Sequence, residues 1–422
     1  MSAELRSRSG DGPPPLDLAA EWRAMQRRLV AHIRSGQLSD YDPAPTTIAA
    51  SVYTDPARLE RERDRIFRDV PLLVGFSGEL PRPGDRLLFD AAGPPILVVR
   101  GEDGRVRAFL NLCPHRGSRL VHDCTPSRRL VCPFHAWTFD LAGRLQGMAL
   151  PAAFDGLDRE AHGLVPVPVG EWGGMIFVRA RPGAASSEAS GPSAAGLRGE
   201  DAALDVVDFL GPAAPLFAAL DLGTLECVAS DVLPVASNWK FALDTFCEVY
   251  HVAVLHRDSL SKNLYPQVAI FDHYGLHHRY SGAGRDYEAI VDRPEDEWPA
   301  MHYQAVHYVF PNTTFAFTHA LDGRTPVVSM FQLFPGAHVG ESLTLARTYR
   351  RTGTDAAPAD EVAAMHRTVL GIVGDEDYWI AREATRGLAA APADLRLVLG
   401  RSETLLRRYH AELERRVAHP PD

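Results

Sequence analysis

Two short stretches of this 422-residue chain decide its interpretation: residues 113–117 read CPHRG and residues 132–137 read CPFHAW. Each stretch begins with a cysteine and places a histidine two or three residues later. The four side chains are Cys113, His115, Cys132 and His135. Thiolate sulfur and imidazole nitrogen are ligands for soft and borderline metal ions. The two loops therefore predict one metal centre that takes a cysteine and a histidine from each.

Two kinds of metal centre use two cysteines and two histidines. A Rieske-type [2Fe–2S] cluster has two thiolates on one iron and two imidazoles on the other, and the imidazoles make it easier to reduce than an all-cysteine cluster. Structural zinc also accepts Cys₂His₂, but zinc fingers usually pair like ligands. Here each pair mixes the two ligand types, and the flanking Pro, Gly and Trp residues resemble the cluster-binding loops of Rieske proteins. The pattern favours the cluster over zinc.

The composition indicates an ordinary globular chain, with 45% hydrophobic and 23% charged residues. With a net charge of −10, nothing in the composition suggests the basic stripe that nucleic-acid binding requires. No apolar run approaches the length of a membrane span, and the N-terminus lacks the apolar core of a signal peptide. Beyond the two cluster cysteines, Cys124, Cys227 and Cys247 do not form a disulfide framework. We therefore expect a reducing, cytoplasmic location.

The first half of the chain has helical spacing over residues 19–36 and 55–68. From about residue 71, short apolar runs separated by Gly, Pro and Asp predict an all-β module. Both ligand loops lie within this module, and a strand near residues 173–180 closes it. Residues 181–200 are rich in Gly, Ala, Ser and Pro, which predicts a linker or loop.

The second half of the chain alternates between long strands and long helices. The predicted strands are 225–235, 305–319, 326–334 and 341–350, and the predicted helices are 238–257, 358–390 and 392–418. A sheet packed against long helices indicates an α+β domain. The expected divisions are a tail and helix (1–50), a cluster domain (51–180), a linker (181–200) and a second domain (201–422).

A second set of candidate metal ligands follows the linker. Glu248 and His251 are three residues apart, and His256 lies five residues beyond, so a helix carrying all three must end or bend between the histidines. The spacing is weak by itself, because an unligated histidine is the commoner outcome. A chain with a redox cluster, however, needs an acceptor for its electrons. Two histidines and a carboxylate on Fe(II) leave positions open for O₂ and a substrate.

With both sets of residues, the chain from about residue 50 to 388 resembles the α (catalytic) subunit of the Rieske non-haem iron oxygenases, the ring-hydroxylating oxygenase family. The resemblance implies an all-β Rieske domain followed by a helix-grip-like antiparallel sheet with helices. It implies His251 and His256 as ligands of a mononuclear iron. The third ligand falls in residues 376–388, EDYWIAREATRGL, and is Asp377, with Asp375 and Glu376 as alternatives. It also implies that Glu248 bridges a cluster histidine and an iron histidine across a subunit boundary, in a homotrimer or larger ring.

Four positions depart from the family pattern. Many members have aspartate where this chain has Glu248, and glutamate there is similar to the carnitine-type quaternary-ammonium oxygenases. Many members have Glu-Asn where this chain has Asp244 and Thr245, and glutamine where it has Thr385. These changes put hydrogen bonds around the ligands in doubt, and leave the iron ligands themselves in place.

The resemblance implies a terminal oxygenase with a [2Fe–2S] cluster and mononuclear Fe(II). Its electrons come from NAD(P)H through a separate reductase or ferredoxin, because no Gly-rich dinucleotide fingerprint opens a βαβ unit here. The expected reaction uses O₂ to hydroxylate or demethylate a small organic molecule, with aromatic and quaternary-ammonium compounds as candidates. The alternatives are an aromatic-ring cis-dihydroxylating dioxygenase α subunit, with or without a β subunit, and a non-catalytic Rieske electron carrier.

The substrate pocket is expected in the second domain. Candidate lining residues lie along 303–317 and at Phe331 and Leu333, although most of these are equally compatible with a sheet core. The polar stretch His277 to Tyr280 is expected to form a surface loop, with a carboxylate or metal site as the less favoured interpretation.

Overall fold

The computed structural model describes residues 12–181, 203–319, 326–353 and 356–418. The predicted linker lies outside these residues apart from Arg181. Two compact units are present: the first contains Phe67–Phe209 and Asp221–Leu225, and the second contains Pro13–Ile66, Leu210–Leu220 and Glu226–Asp422. Residues 51–66, placed with the cluster domain from sequence, therefore group with the second unit. The reason is a buried contact, because Glu62 accepts hydrogen bonds from Trp239 and Lys240.

The first unit is built almost entirely from short antiparallel strands, as the apolar runs predict. The strands are Leu72–Phe76, Arg86–Phe89, Ile96–Arg100, Val106–Leu110, Leu130–Val131, Thr138–Phe139, Leu145–Gly147, Pro166–Val167, Val169–Trp172 and Met175–Val178. Short helical turns cover Ser77–Glu79, Pro151–Phe154 and Glu160–His162, and a short helix covers Val206–Leu210. The all-β prediction for this region is confirmed.

These strands form three small sheets. One has the order 169–172, 175–178 and 72–76, a second has the order 86–89, 96–100, 106–110 and 166–167, and the third has the order 130–131, 138–139 and 145–147. One apolar core joins the second and third sheets and contains Cys113, Cys132 and Trp137 together with Leu97, Phe109 and Phe139. The two ligand loops therefore leave from strands that are anchored in one core.

The second unit is organised by a seven-stranded antiparallel sheet. In spatial order its strands are Leu225–Val235, Ser342–Arg351, Pro326–Pro335, Thr313–His319, Ala305–Val309, His277–Gly284 and Leu264–Tyr274. A two-stranded ribbon pairs Thr46–Ala49 with Arg396–Leu399. Thr344 and Thr348 lie on the same face of their strand, and they bond to Tyr378 and His366 of the helices. Alternate residues of this sheet thus face the helices that carry the second site.

The helices of the second unit are short except at the two ends of the chain. They are Leu18–Ser35, Ser51–Thr54, Pro56–Glu62, Ala214–Ala219, Trp239–Asp244, Val252–Leu255, Ala359–Ile372, Tyr378–Ala389 and Thr404–Ala418. Wider π-helical turns follow two of them, at Arg63–Arg68 and Val373–Asp377, and 3₁₀ turns cover Gly211–Ala213, Leu260–Asn263, Arg285–Ala289 and Glu295–Glu297. The 3₁₀ turn Leu222–Thr224 belongs to the first unit. The α+β prediction is confirmed. Among the described residues, none of the helices is both long and apolar enough to cross a membrane.

Several sequence predictions for this unit are wrong in detail. The single helix expected over 238–257 is two short helices, and the helix expected over 392–418 begins at Thr404, after the strand Arg396–Leu399. The strand expected over 305–319 divides into Ala305–Val309 and Thr313–His319. In each of these three cases, the prediction treats as one element two elements that a turn separates in the structure.

The expected surface loop at His277 to Tyr280 is instead part of the strand His277–Gly284, and His277, His278 and Arg279 are buried. Polar composition misled the prediction because these groups find partners inside the protein. The guanidinium of Arg279 bonds to the carboxylates of Asp272 and Glu21.

Candidate metal centres

The two cysteine–histidine loops of the first unit have the same backbone geometry. In the first, the Cys113 N–H donates to Ser118 O, and the Gly117 N–H donates back to Cys113 O. In the second, the Cys132 N–H donates to Trp137 O, and the Ala136 N–H donates back to Cys132 O. The fourth residue after each cysteine has a positive φ, 73° at Gly117 and 56° at Ala136. Glycine takes this conformation freely, whereas alanine takes it at a steric cost.

These loops bring the four predicted cluster ligands together. The thiols of Cys113 and Cys132 are buried and lie within hydrogen-bonding reach of each other. The imidazole rings of His115 and His135 lie 4.7 Å apart between centroids and are only partly buried. The cysteines therefore lie on the core side of the site and the histidines on the solvent side.

Two features show that these side chains fit a metal cluster. His135 Nδ1 is a buried atom with no hydrogen-bond partner among the described residues. Burial, aided by the neighbouring Cys132 thiol, raises the pKa of the Cys113 thiol to about 11 against an opposing backbone hydrogen bond at His115. Metal binding requires deprotonated thiolates and supplies the charge that stabilises them. Two adjacent buried thiols opposite two imidazoles match the donor set of a [2Fe–2S] cluster.

Asn111 supports the first loop, and the sequence analysis missed it. Its side chain is fully buried, donates to Val121 O at 2.8 Å and accepts from the Val121 N–H at 2.9 Å. This pair of bonds ties the two ends of the loop together around Cys113 and His115. The only sequence signal for Asn111 is its position, directly after a strand and two residues before Cys113.

The second site forms where the predicted helix 238–257 breaks. The first segment ends at Asp244, and a new helix begins with His251 at its N-cap position. Glu248 lies in the turn between them and accepts from the backbone N–H groups of Tyr250 and His251. Glu248 and His251 are therefore neighbours because the carboxylate accepts from the backbone of the turn before the helix Val252–Leu255, and not because they share a helix face.

His251, His256 and Asp377 form the site. One potential ligand atom from each lies within 4.8 Å of the other two. The Nε2 atoms of His251 and His256 lie 3.5 and 3.4 Å from the same oxygen, Asp377 Oδ1. His256 and Asp377 are almost fully buried. Two neutral imidazoles and one carboxylate on one side of a metal form the donor set of a mononuclear non-haem iron site.

Each histidine of this site presents its other nitrogen to a carboxylate. His251 Nδ1 bonds to Glu248 Oε1, and His256 Nδ1 bonds to Glu376 Oε2 at 2.6 Å. Burial disfavours the charged form of His256, but bonds and charge from Asp377 and Glu376 outweigh it and raise the pKa of the imidazole. The Nδ1 contacts fix both rings with Nε2 directed at Asp377. Of the two alternative third ligands, Glu376 contacts His256 from the far side, and Asp375 is exposed.

The positions that depart from the family pattern are hydrogen-bonded. Asp244 accepts from Tyr53 at 2.5 Å and from His410 at 3.1 Å, and also bonds to Tyr409. Thr385 donates to Ser237 Oγ at 2.9 Å. The side chains at these positions therefore keep hydrogen-bond partners, and local spacing in the sequence does not predict those partners.

Two protein families match separate parts of the chain. Residues 70–157 match the family described as the Rieske [2Fe-2S] domain, and residues 222–419 match the family described as the ring hydroxylating alpha subunit (catalytic domain). The chain belongs to the Rieske non-haem iron oxygenase α subunits. A Rieske cluster and a mononuclear iron are the metal cofactors of this family, and the residues gathered at the two sites match their donor sets.

Curated relatives of this Rieske oxygenase include quaternary-ammonium and aromatic-ring enzymes. The glycine betaine monooxygenase oxygenase subunit of Chromohalobacter salexigens is 34% identical over 213 residues, which are 50% of this chain and 43% of that protein. The carnitine monooxygenase oxygenase subunit of Escherichia coli is 32% identical over 211 residues, 50% of this chain and 52% of that protein. The aligned region thus spans about half the length of these relatives.

Solved structures match over most of the chain. A crystal structure of a quaternary ammonium Rieske monooxygenase has a TM-score of 0.71 at 21% identity and covers 89% of this chain and 96% of the other. Naphthalene 1,2-dioxygenase from Rhodococcus sp. has a TM-score of 0.70 at 19% identity, with coverages of 96% and 100%. At these identities the likeness shows the fold, and both substrate groups share it.

Three aromatic side chains of the second unit pack together, and two of them lie on the segments that carry the second site. The ring of Phe246 stacks on Phe331 at 4.7 Å between centroids and meets Tyr378, which follows Asp377, edge-on at 6.3 Å. Phe331 was predicted as a pocket residue, whereas Phe246 and Tyr378 were not. Leu333 and much of the stretch 303–317 are fully buried in the sheet, as Tyr308 and Phe315 show.

Proposed function

We propose that this protein is the terminal oxygenase of an NAD(P)H-driven system, and that it uses O₂ to hydroxylate or demethylate a small organic substrate. The observation that supports this most strongly is the group His251, His256 and Asp377, with carboxylates on both outer imidazole nitrogens. A non-catalytic electron carrier would need only the cluster loops. This chain also carries the donor set of a mononuclear iron site, which favours an oxygenase over a carrier.

In this proposal Cys113, His115, Cys132 and His135 hold the cluster, and His251, His256 and Asp377 hold the iron. When bound, the cluster supplies single electrons, and the iron supplies a site for reducing O₂ beside the substrate. The carboxylates of Glu248 and Glu376 hold the imidazole rings in place. The stack of Phe246 on Phe331 offers an apolar wall for the substrate.

Glu248 is the residue we assign to electron transfer between the two kinds of centre. Its carboxylate already accepts from His251 Nδ1 and from two backbone N–H groups, and its side chain is 12% exposed. A carboxylate offers about four acceptor positions. A further N–H bond from a cluster histidine of a neighbouring subunit would complete these positions and connect the two imidazoles.

A homotrimer is part of the proposal, because apolar side chains are exposed around both sites. In the first unit, Phe134 is 54% exposed and contacts His135, and Leu150, which precedes the turn that brings Phe154 to His115, is 79% exposed. In the second unit, Tyr250 is 64% exposed and Val254 is 71% exposed on either side of His251. Exposed apolar groups beside a functional centre are typical of a surface that meets a partner. Sedimentation of wild type and of Val254→Asp tests this, with loss of assembly expected in the variant.

A quaternary-ammonium compound is the substrate class we favour. Glu248 stands where many members have aspartate, and both curated relatives described above are named for quaternary-ammonium substrates. Aromatic faces beside a cluster of carboxylates also attract a cation. Hydroxylation of a carbon next to the nitrogen consumes one O₂, two electrons and two protons and yields water. The hydroxylated product then splits into an amine and an aldehyde.

Aromatic-ring dioxygenation is the second candidate. Biphenyl 2,3-dioxygenase subunit alpha of Rhodococcus jostii is 31% identical over 207 residues, 47% of this chain and 41% of that protein. The Phe246–Phe331 stack would suit a planar ring as well as a cation. In this case both oxygen atoms enter the product as a cis-diol, and a β subunit is an additional candidate partner.

The reductase, the ferredoxin and the cytoplasmic location complete the proposal. All five cysteines are free in the structure, which suits a reducing compartment. No Gly-rich dinucleotide fingerprint opens a βαβ unit in the sequence, so NAD(P)H is expected to bind a separate protein.

Iron and acid-labile sulfide analysis of anaerobically purified protein, with zinc measured alongside, tests the two metal sites. Three irons and two sulfides per chain are expected. Two irons and two sulfides after reloading with Fe(II) would leave only an electron carrier, and zinc without sulfide would contradict the cluster.

Product analysis tests the reaction. With a Rieske-oxygenase reductase and NADH, glycine betaine and carnitine are expected to give an amine and an aldehyde in proportion to the O₂ consumed. Biphenyl or indole converted to a diol, with no turnover of either quaternary amine, would favour the dioxygenase instead.

A further inference from the structure

We infer that Glu376 is a positioning residue for the iron-binding imidazole of His256, and that Ser259 holds Glu376 in place. This inference rests on the proposed iron site. Glu376 Oε2 lies 2.6 Å from His256 Nδ1, and Ser259 Oγ donates to the same oxygen at 2.7 Å. Three side chains from two separate segments of the chain thus meet at one carboxylate oxygen.

The geometry distinguishes the role of Glu376 from that of Asp377. Asp377 Oδ1 lies 3.4 Å from His256 Nε2, whereas Glu376 contacts Nδ1 on the opposite side of the ring. A metal bound at Nε2 is therefore separated from Glu376 by the width of the imidazole. Glu376 acts on the metal through His256, and Asp377 acts on it directly.

The local backbone allows two consecutive acidic residues to reach both sides of one imidazole. Glu376 and Asp377 lie in the π-helical turn Val373–Asp377, between the α-helices Ala359–Ile372 and Tyr378–Ala389. A π-turn inserts an extra residue and redirects the side chains around it, and such turns often lie at functional sites.

The contact sets both the orientation and the basicity of His256. A carboxylate at Nδ1 keeps the proton on that nitrogen, so the lone pair of Nε2 remains free for a metal. The His256 side chain is only 3% exposed and that of Glu376 is 26% exposed, so water competes little for this bond. The hydroxyl of Ser259, three residues after His256, restricts the carboxylate to one position.

His251 has an equivalent contact of different construction. Its Nδ1 bonds to Glu248, whose carboxylate is held by backbone N–H groups of Tyr250 and His251. Removing Glu376 leaves this second contact intact. We therefore expect weakened binding at the mononuclear site and no change at the cluster.

Metal affinity of the full-length protein tests the inference independently of turnover. The mononuclear site is emptied with a chelator and titrated anaerobically with Fe(II), and separately with Co(II), whose visible bands report ligand geometry. Glu376→Gln keeps the shape and removes the charge, Glu376→Ala removes both, and Ser259→Ala frees the carboxylate. Glu383→Gln, at a surface ion pair with Arg386 on the following helix, is the matched control.

Loss of such a supporting carboxylate typically weakens metal binding by about 10- to 100-fold. We expect this range for Glu376→Ala, a loss toward its lower end for Glu376→Gln, and the smallest loss for Ser259→Ala. The Co(II) bands should shift in both Glu376 variants, and the cluster absorbance should not change, which also shows that the variants fold.

Two results would overturn the inference, and they are distinguishable. Wild-type affinity and wild-type Co(II) bands in both Glu376 variants would exclude a positioning role while leaving the proposed iron site intact. A wild-type protein that binds no metal at this site would refute the proposed function as well.

Discussion

The imidazole of His115 stacks on the indole of Trp137, with 4.9 Å between ring centroids and 6° between planes. This contact joins the two ligand loops, because His115 belongs to the first and Trp137 is the last residue of the second. The Trp137 side chain is also part of the apolar core that contains both cysteines. His115, on the solvent side of the first loop, is therefore held by Trp137, on the core side of the second loop, and the site depends on both loops.

Replacing Cys132 with serine, or His115 with alanine, is expected to abolish the visible absorption of the cluster and its acid-labile sulfide. Each change removes one of the four proposed cluster ligands. The buried core shapes the site but does not itself bind the cluster. Cys124→Ser is the control, because that thiol is exposed and lies between the loops. Retained cluster absorption in either ligand variant would contradict the cluster assignment.

Replacing His256 with alanine is expected to separate the two metal sites. The variant should keep two irons and two sulfides per chain and lose the third iron and all turnover. The measurement is metal analysis of the anaerobic protein together with its cluster spectrum. A third iron that survives in His256→Ala would show that another set of ligands holds it.

The structure brings the predicted ligand residues together, whereas it divides several of the predicted helices and strands differently. Metal chemistry requires particular side chains at short spacings, so CPHRG and CPFHAW are readable without a structure. The break between Asp244 and Val252 is not readable in this way, because the segment 238–257 keeps helical spacing throughout. It is the buried carboxylate of Asp244, bonded to Tyr53 and His410 from distant parts of the chain, that anchors this helix end.

Polarity was the other source of error. The stretch His277 to Tyr280 looks like a surface loop, and yet His278 and Arg279 are 3% and 1% exposed. Their partners, His273 and Asp272, lie on the neighbouring strand. Local composition does not predict contacts between residues that are distant in the sequence. For the same reason the sequence does not predict the contact of Ser259 with Glu376.

Replacing Glu248 with glutamine is expected to keep all three irons and to slow oxidation of the reduced cluster in a single turnover. The amide keeps the size of the side chain but loses the charge and one of the two acceptor oxygens used by His251 and the backbone. The measurement is the rate of cluster reoxidation by O₂ with substrate present, after stoichiometric reduction. An unchanged rate would count against a bridging role.

Lys240 and Glu62 form a fully buried ion pair, with 2.7 Å between Nζ and the carboxylate. Burial lowers the pKa of Lys240, and the charge of Glu62 partly offsets this. Trp239 and Arg58 also donate to Glu62, so replacing Lys240 by methionine leaves a buried carboxylate that keeps these two partners but loses its most enclosed cation. We expect a loss of about 3 kcal/mol in the free energy of unfolding, because Arg58 still compensates part of the buried charge.

Urea unfolding of Lys240→Met measures this loss. The exposed pair of Glu383 and Arg386 is the control, and Glu383→Gln should cost less than about 1 kcal/mol. A loss in Lys240→Met no larger than in the control would show that the buried pair does not stabilise the fold.

Buried neutral histidines are expected to make the fold sensitive to mild acid. Burial, with the nearby charges of His273, His277 and Arg408, lowers the pKa of His278 to about 2. Burial also lowers the pKa of His307 well below its usual value. An unfolded histidine takes up a proton near pH 6.5, whereas these folded ones do not, so the unfolded state binds more protons and stability falls as pH falls below 6.5. Each histidine contributes a slope of about 1.4 kcal/mol per pH unit in that range.

Urea unfolding at pH 7.5, 6.5 and 5.5 measures the total slope of stability against pH. The substitution His278→Gln should reduce this slope by about 1.4 kcal/mol per pH unit below pH 6.5. The substitution His302→Gln, at an exposed histidine, should leave the slope unchanged. Equal slopes in wild type and His278→Gln would mean that His278 takes up its proton in the folded protein as well.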